Sequence, residues 1–132
     1  MRKNRIPTIM VAAALAALGW IAPVEAVEVK PYDAGAVAAA VAAGTTVVLD
    51  FHADWCGTCR RQAAVLAELA GDSELAGVVV FKVNFDTAND LKAHYNVKKQ
   101  STMVKIGPDG EIDRIVGQTG RSQIRSFLAR AS

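Results

Sequence analysis

The chain has 132 residues, of which 52% are hydrophobic and 21% charged, and its net charge at pH 7 is +2. This length favours a single domain. Lys and Arg form no dense cluster beyond the first residues, which argues against a nucleic-acid-binding surface. There are only two cysteines, three positions apart, and a bridge between them would close too short a loop to stabilise a fold. They are therefore candidates for catalysis or metal binding.

The first 26 residues match the pattern of a secretory signal peptide. Three basic residues lie within the first five positions, residues 9–22 are almost wholly apolar, and Val24-Glu25-Ala26 precedes the expected cleavage. The three basic residues and Glu25 account for the whole net charge. We predict that residues 27–132 form the mature, exported and periplasmic domain. The alternative is an uncleaved membrane anchor, although the apolar run is shorter than the roughly 20 residues of a typical spanning helix.

The mature part opens with a strand and a helix. Val27 to Tyr32 predicts a short edge strand or an extended lead-in, because Pro31 cannot donate to a sheet. An alanine-rich helix follows from Ala34 to Ala43. Asp33 is placed to cap its start and Gly44 to end it.

Both cysteines lie where a strand leads into a helix. Thr45 to His52 is rich in β-branched and aromatic residues, which predicts a buried strand. From Cys59 to Ala70, apolar residues recur at helical spacing. Cys56 thus lies at the mouth of this helix, where free N–H groups and the helix dipole favour a thiolate. Cys59, one turn on, is close enough to form a disulfide with it.

The remaining elements complete an α/β pattern. A βαβ half, which must be parallel and right-handed, is followed by a ββα half. We therefore predict a small mixed sheet with helices on both faces. A strand is predicted at Val78 to Phe85, followed by a short helix that is capped by Asp86 or Thr87 and reaches about Tyr95. Thr102 to Ile106 and Glu111 to Val116 are predicted to form a hairpin. The last helix runs from Arg121 to Ala131 and turns Ile124, Phe127 and Leu128 to one face.

The segment Trp55-Cys56-Gly57-Thr58-Cys59-Arg60 resembles the W-C-G-P-C-K signature of the thioredoxin family. The likeness extends over roughly residues 30–130. Lys82 to Asp86 is similar to a second core strand of that family. Tyr95-Asn96-Val97 and Ser101-Thr102 stand where the family has Y-G-I and cis-Pro-Thr. The resemblance implies a thioredoxin-like fold and a thiol–disulfide oxidoreductase that acts on protein disulfides or dithiols.

The resemblance also implies roles for individual residues. Cys56 is the nucleophile that forms a mixed disulfide with the substrate, and Cys59 resolves it. The pair thus alternates between two free thiols and a redox-active disulfide. Asp50 would accept the proton of Cys59, with Lys82 facing it. The other interpretation of Asp50 and Lys82 is a purely structural ion pair. No organic cofactor is implied, and a membrane or periplasmic redox partner would restore the active form.

Several positions depart from the family pattern. His52 replaces a tryptophan and shares the face of Asp50, so a protonated imidazole would tune the thiolate; the alternative is a surface histidine without influence. Ser101 replaces the cis-proline that faces the cysteines, and a trans bond is expected before it. Thr58 replaces the proline of the motif. The substrate groove is predicted to comprise Trp55, Gly57, Thr58, Gln100 and Ser101.

The alternative function is a non-enzymatic module that holds a soft metal ion through Cys56 and Cys59. A structural zinc site needs four ligands, and only His52 and His94 remain as further soft donors. No second C-x-x-C motif completes such a site. The residues therefore favour redox chemistry, and no metal ligand is assigned.

Overall fold

The computed structural model of the protein describes residues 26–130. The predicted signal peptide, apart from Ala26, and the alternative anchor lie outside these residues. Among the helices that the model describes, none is long and apolar enough to cross a membrane.

The described chain contains five strands, four α-helices and one 3-10 turn. The elements follow the predicted order, and the loop after the second helix contains the short turn at Ser73–Leu75. Their bounds are β1 Val27–Pro31, α1 Ala34–Ala42, β2 Thr46–His52, α2 Gly57–Leu69, β3 Val78–Asn84, α3 Asn89–His94, β4 Thr102–Gly107, β5 Gly110–Val116 and α4 Arg121–Ala129.

The strands form one mixed sheet in the order β1-β3-β2-β4-β5. β1 and β2 both run parallel to β3, whereas β4 is antiparallel to β2 and β5 antiparallel to β4. The predicted βαβ and ββα halves are therefore confirmed, and β1 is an edge strand as expected. β2 lies in the middle and delivers the cysteine segment from the centre of the sheet.

Side chains of β2 alternate between two cores. Val48 belongs to the core that includes residues of α2 and α4. Val47, Leu49 and Phe51 point to the other face, where partly buried residues of α1 and α3 pack. Asp50 shares the face of Val48, so its carboxyl lies on the α2 side of the sheet. On the α4 side, the predicted inward residues Ile124, Phe127 and Leu128 are all buried.

Two helix starts differ in how well the sequence predicted them. Asp33 caps α1 as expected, since its Oδ1 accepts from the N–H of Ala36 at 2.7 Å. The predicted cap of α3 by Asp86 or Thr87 is wrong: Ala88 occupies the N-cap position and makes no side-chain cap bond. The carboxylate of Asp86 accepts instead from the indole of Trp55.

Candidate active site

The two cysteines lie at the start of α2, which begins at Gly57, two residues earlier than predicted. Cys56 is the N-cap residue, and its Sγ accepts from the backbone N–H of Cys59 at 3.1 Å. Both thiols are free. Cys56 is buried, with 5% of its surface exposed. The segment that carries Ser101 packs against it.

The surroundings of the two sulfurs separate their pKa values. For Cys56, burial disfavours the thiolate, but hydrogen bonds from Cys59, Ser101 and the backbone N–H groups of Cys59 and Thr58 outweigh it and lower the pKa. For Cys59, burial and the hydrogen bond with Cys56 raise the pKa. At a given pH the thiolate therefore forms first on Cys56, and Cys59 retains its proton.

Ser101 lies directly against the sulfur pair. Its Oγ is 3.2 Å from Cys56 Sγ and 3.2 Å from Cys59 Sγ, and 3% of the residue is exposed. No peptide bond in the described residues is cis, so the bond from Gln100 to Ser101 is trans, as predicted. Ser101 has a φ of 62°, in the left-handed region, which sequence alone did not reveal. Gln100 precedes it and is half-buried.

Asp50 is an almost fully buried carboxyl group in the middle of β2. It is 1% exposed, and its Oδ1 has no hydrogen-bond partner. Lys82 is its register partner on β3, which brings together the two residues paired by the family resemblance. Burial raises the pKa of Asp50 to about 7, although the positive charge of Lys82 opposes the shift. Lys82 itself is exposed and makes no ion pair within 4.0 Å among the described residues.

The imidazole of His52 lies between the buried carboxyl of Asp50 and the exposed carboxylate of Asp54. Its Nε2 lies 3.1 Å from Asp54 Oδ1, and its unpartnered Nδ1 lies 4.0 Å from Asp50 Oδ2. The interpretation as a surface histidine is wrong, because only 6% of His52 is exposed. Burial and the charge of Lys82 lower its pKa, despite the opposing effect of Asp54. Near pH 7 the neutral imidazole therefore predominates, rather than the protonated form proposed from the sequence.

The other residues predicted for the substrate groove differ in their exposure and contacts. Trp55 is 61% exposed, and its Nε1 donates to the carboxylate of Asp86, with the shorter contact at 2.9 Å. Gly57 and Thr58 form the first turn of α2, where Thr58 Oγ1 accepts from Arg61 at 3.2 Å. The indole of Trp55, the residue before Cys56, is thus held by Asp86 and open to solvent.

Gln62 supports the site and was not identified from the sequence. It is fully buried on α2, and its Nε2 donates to the backbone oxygens of Ser101 at 3.2 Å and Gln118 at 2.8 Å. A signal was present: Gln62 shares the helical spacing of the inward residues Val65 and Leu66, so a polar side chain at this position needed buried partners.

A groove of about 400 Å³ lies between β1 and α2. Asp50 and Lys82 line it together with apolar side chains from both elements. Those side chains are Val27, Val29, Ala63, Leu66, Ala67 and Ala70.

The structure gives no support to the alternative of a metal-binding module. Across residues 26–130, no three His, Cys, Asp or Glu side chains are grouped so that they could hold a metal ion. His52 turns its Nε2 to Asp54, and His94 is exposed and packs edge-on against Tyr95.

Comparisons with known proteins agree with this arrangement. The family model for thioredoxin matches residues 28–130. A thioredoxin H-type from Oryza sativa subsp. indica is 40% identical over 75 residues, which cover 57% of this chain and 60% of the rice protein. A mitochondrial thioredoxin from Mus musculus is 34% identical over 86 residues, which cover 65% of this chain and 51% of the mouse protein. The chain thus spans about half to three fifths of the length of these two relatives.

A solved structure resembles this chain over most of its described length. The crystal structure of Trxlp from Edwardsiella tarda EIB202 superposes with a TM-score of 0.72 and 37% sequence identity. The match covers 78% of this chain and 100% of the Edwardsiella tarda chain. The similarity therefore extends over most of the chain.

Proposed function

The chain belongs to the thioredoxin family, and from this we propose that it is a thiol–disulfide oxidoreductase acting on protein disulfides or dithiols through Cys56 and Cys59. The observation that carries the proposal is the pair of free, adjacent thiols at the start of α2 with oppositely shifted pKa values. One sulfur is prepared to attack, and the other holds its proton until it is needed.

In the reductive direction, the Cys56 thiolate attacks one sulfur of a substrate disulfide. The substrate S–S bond breaks, its second sulfur leaves as a thiolate that takes a proton from water, and a mixed disulfide with Cys56 forms. Cys59 then loses its proton and attacks Cys56 Sγ, which releases the substrate as a second thiolate. The chain is left with a Cys56–Cys59 disulfide, and a redox partner must supply two electrons and two protons to reopen it.

Asp50 is proposed as the group that accepts the proton of Cys59, directly or through water. Its support is a buried carboxyl on the face of β2 that α2 covers, with a pKa raised to about 7 and Lys82 as its register partner. A carboxyl with this pKa is partly ionised at neutral pH and is a much stronger base than an ordinary aspartate. The neutral imidazole of His52 is proposed to tune the site from the side of Asp50.

The substrate groove is proposed to comprise Trp55, Gly57, Thr58, Gln100 and Ser101. The exposed indole of Trp55, fixed by Asp86, supports the proposal because it offers an aromatic contact surface at low conformational cost. Ser101 Oγ lies 3.2 Å from each sulfur, and the backbone N–H of Thr58 donates to Cys56, which supports the inclusion of these two residues.

The test of Asp50 is the Asp50→Asn variant, with Asp90→Asn on the exposed surface of α3 as the matched control. We expect attack by Cys56 to continue while resolution by Cys59 slows, so rapid-quench trapping shows accumulated mixed disulfide in Asp50→Asn only. In the wild type, the resolution rate should rise with pH through about 7 as the carboxyl ionises. Equal resolution rates in the wild type and Asp50→Asn at pH 7 would assign Asp50 a structural role.

Export to the periplasm, with a redox partner there or in the membrane, is a separate proposal. Its support is the basic start, apolar run and small residues of the first 26 positions. The names of the mouse, rat and bovine relatives place them in mitochondria, so these relatives lend it no support. The intact mass of the protein recovered from an exporting host tests it: loss of residues 1–26 is expected, and a chain that starts at Met1 and stays with membranes would indicate the anchor.

A further inference from the structure

The hydroxyl of Ser101 is within hydrogen-bonding reach of both reacting sulfurs, at 3.2 Å from each. We propose that this hydroxyl is a catalytic hydrogen-bond bridge, which stabilises the negative charge first on Cys56 and then on Cys59 as the reaction proceeds. The inference rests on the proposed disulfide exchange and adds a named donor to it. The residue at this position departs from the proline of the family, and a proline ring has no group that could do this.

Hydrogen bonds hold the backbone of Ser101 from several sides. Its N–H donates to Phe51 O at 2.9 Å, and its carbonyl oxygen accepts from the N–H of Gly117 at 2.9 Å and from Gln62 Nε2 at 3.2 Å. With the backbone tied to β2, to the end of β5 and to α2, the rotations that remain are χ1, which here places Oγ 3.2 Å from both sulfurs, and the turning of the hydroxyl proton. The turning of the proton changes which sulfur receives the hydrogen bond.

In the reduced protein, a hydroxyl group can serve both sulfurs at once because it has one donor and two acceptor sites. The Ser101 O–H donates to the Cys56 thiolate, the Cys59 thiol donates to the same thiolate, and Ser101 Oγ stays 3.2 Å from Cys59 Sγ. Cys56 Sγ also accepts from the N–H of Cys59. The attacking thiolate therefore receives hydrogen bonds from the helix start, from the Cys59 thiol and from Ser101 in the loop.

In the mixed disulfide, Cys56 Sγ is bonded to the substrate sulfur and carries no charge. When Cys59 gives its proton to the base, the Ser101 O–H turns toward the new thiolate. Cys59 then attacks Cys56 Sγ, the bond to the substrate sulfur breaks, and that sulfur leaves as a thiolate that water protonates. Ser101 keeps its own proton throughout, so the balance of protons and electrons in the exchange is unchanged.

Other ionisable groups near the pair contact it less directly. Asp50 and His52 lie on β2 and Lys82 on β3, and none of them hydrogen-bonds to either sulfur within the described residues. The side-chain donor to both sulfurs is therefore Ser101. Removing its hydroxyl should alter the ionisation of Cys56 without altering these three charges.

The experiment compares Ser101→Gly and Ser101→Ala with the wild type, and uses Ser122→Ala, an exposed hydroxyl on α4, as the control. Both Ser101 variants remove the hydroxyl, but glycine accepts a φ of 62° without strain, whereas alanine does not. The rate of Cys56 alkylation by iodoacetamide is measured against pH in the reduced proteins. We expect the Cys56 pKa to rise by about one unit in both variants, which slows alkylation below that pKa about tenfold. Ser122→Ala should match the wild type.

Two results would overturn the bridge. One is an unchanged alkylation profile in both Ser101 variants. The other is a shift in Ser101→Ala alone, which would trace the effect to backbone strain rather than to the hydroxyl. Slower resolution of the mixed disulfide in Ser101→Gly, by rapid quench, is the expected second readout. The alkylation assay uses no protein substrate, so a wild type that fails to reduce insulin disulfides would contradict the proposed function while leaving the bridge to be judged separately.

Discussion

A single amide side chain, that of Gln62, connects the cysteine helix to two neighbouring loops. Gln62 reaches from α2 to the carbonyl oxygens of Ser101 and Gln118, and so ties the loop before β4 and the loop after β5 to the cysteine helix. Its own Oε1 is buried without a partner, which costs free energy of folding. The two bonds of its Nε2 offset that cost and hold the loop with Ser101 against the cysteine helix.

Gln62→Leu should therefore reduce activity more than its effect on stability would suggest. Leucine fills the space and removes the unpartnered Oε1. Gln118 O loses its side-chain donor and Ser101 O keeps only the N–H of Gly117, so we expect a net loss of about 1–2 kcal/mol in the free energy of unfolding. The loop with Ser101 loses a support, and protein-disulfide reduction should fall severalfold at a temperature where the variant is fully folded. Urea denaturation and an insulin reduction assay measure the two effects. Gln123→Leu, on the exposed face of α4, is the control and should change neither.

Among the elements, α4 has an unusual C-terminal end. Lys105 on β4 is fully buried, and its Nζ donates to Phe127 O and Arg130 O, each at 2.6 Å. The last carbonyl groups of a helix have no partners within the helix, and a positive charge is favourable there. Burial lowers the pKa of Lys105, with Asp113 opposing the shift and Arg130 adding to it. One lysine thus fastens the last helix to the sheet.

We expect Lys105→Met to loosen this attachment. Methionine keeps most of the buried volume but leaves the carbonyl oxygens of Phe127 and Arg130 without a donor, which should cost about 2–3 kcal/mol of unfolding free energy for two charge-assisted bonds. Urea denaturation gives the size of the loss, and hydrogen exchange should localise it to α4. Lys99→Met, in the exposed loop, should be neutral. A Lys105→Met protein as stable as the wild type would show that water serves these carbonyls equally well.

At the scale of the whole molecule, the buried carboxyl of Asp50 links folding to pH. Its pKa is about 7 in the folded protein, against an ordinary value of 3.8. Between those values the folded state binds more protons than the unfolded state, so stability falls as pH rises from about 4 to about 7. Above pH 7 the buried charge is destabilising by an amount that approaches about 4 kcal/mol, three units at about 1.4 kcal/mol each.

Asp50→Asn should remove this pH dependence. We expect the variant to be more stable than the wild type at pH 8, and the difference between the two to shrink by up to about 4 kcal/mol as the pH is lowered to 4. Guanidinium denaturation at several pH values measures it. Asp90→Asn reports the effect of removing an exposed carboxylate and should give a curve parallel to the wild type. Parallel curves for Asp50→Asn as well would contradict the raised pKa.

The sequence predicted the order of the elements and the position of the cysteines because these follow from periodicity and local caps. It did not predict how deeply individual side chains are buried. Alternation placed His52 on the face of Asp50, but a period of two cannot tell whether a side chain at the end of a strand is covered by the loop that follows. The positive φ of Ser101 and its contact with both sulfurs arise from long-range packing between β4, β5 and α2, which no local pattern encodes. The cap of α3 failed for the same reason, since Asp86 is engaged by a tryptophan 31 positions away in sequence.

The groove between β1 and α2 gives the carboxyl of Asp50, the proposed base, an opening to solvent of its own. Its lining residues include Asp50 and Lys82 but none from the 55–58 or 100–101 segments, where a substrate is proposed to bind. A large folded protein bound over the sulfurs would exclude water from them but would leave the groove between β1 and α2 open. The proton that Asp50 is proposed to accept from Cys59 could then pass through the groove to bulk solvent while the mixed disulfide persists. Resolution by Cys59 would not require the substrate to dissociate first.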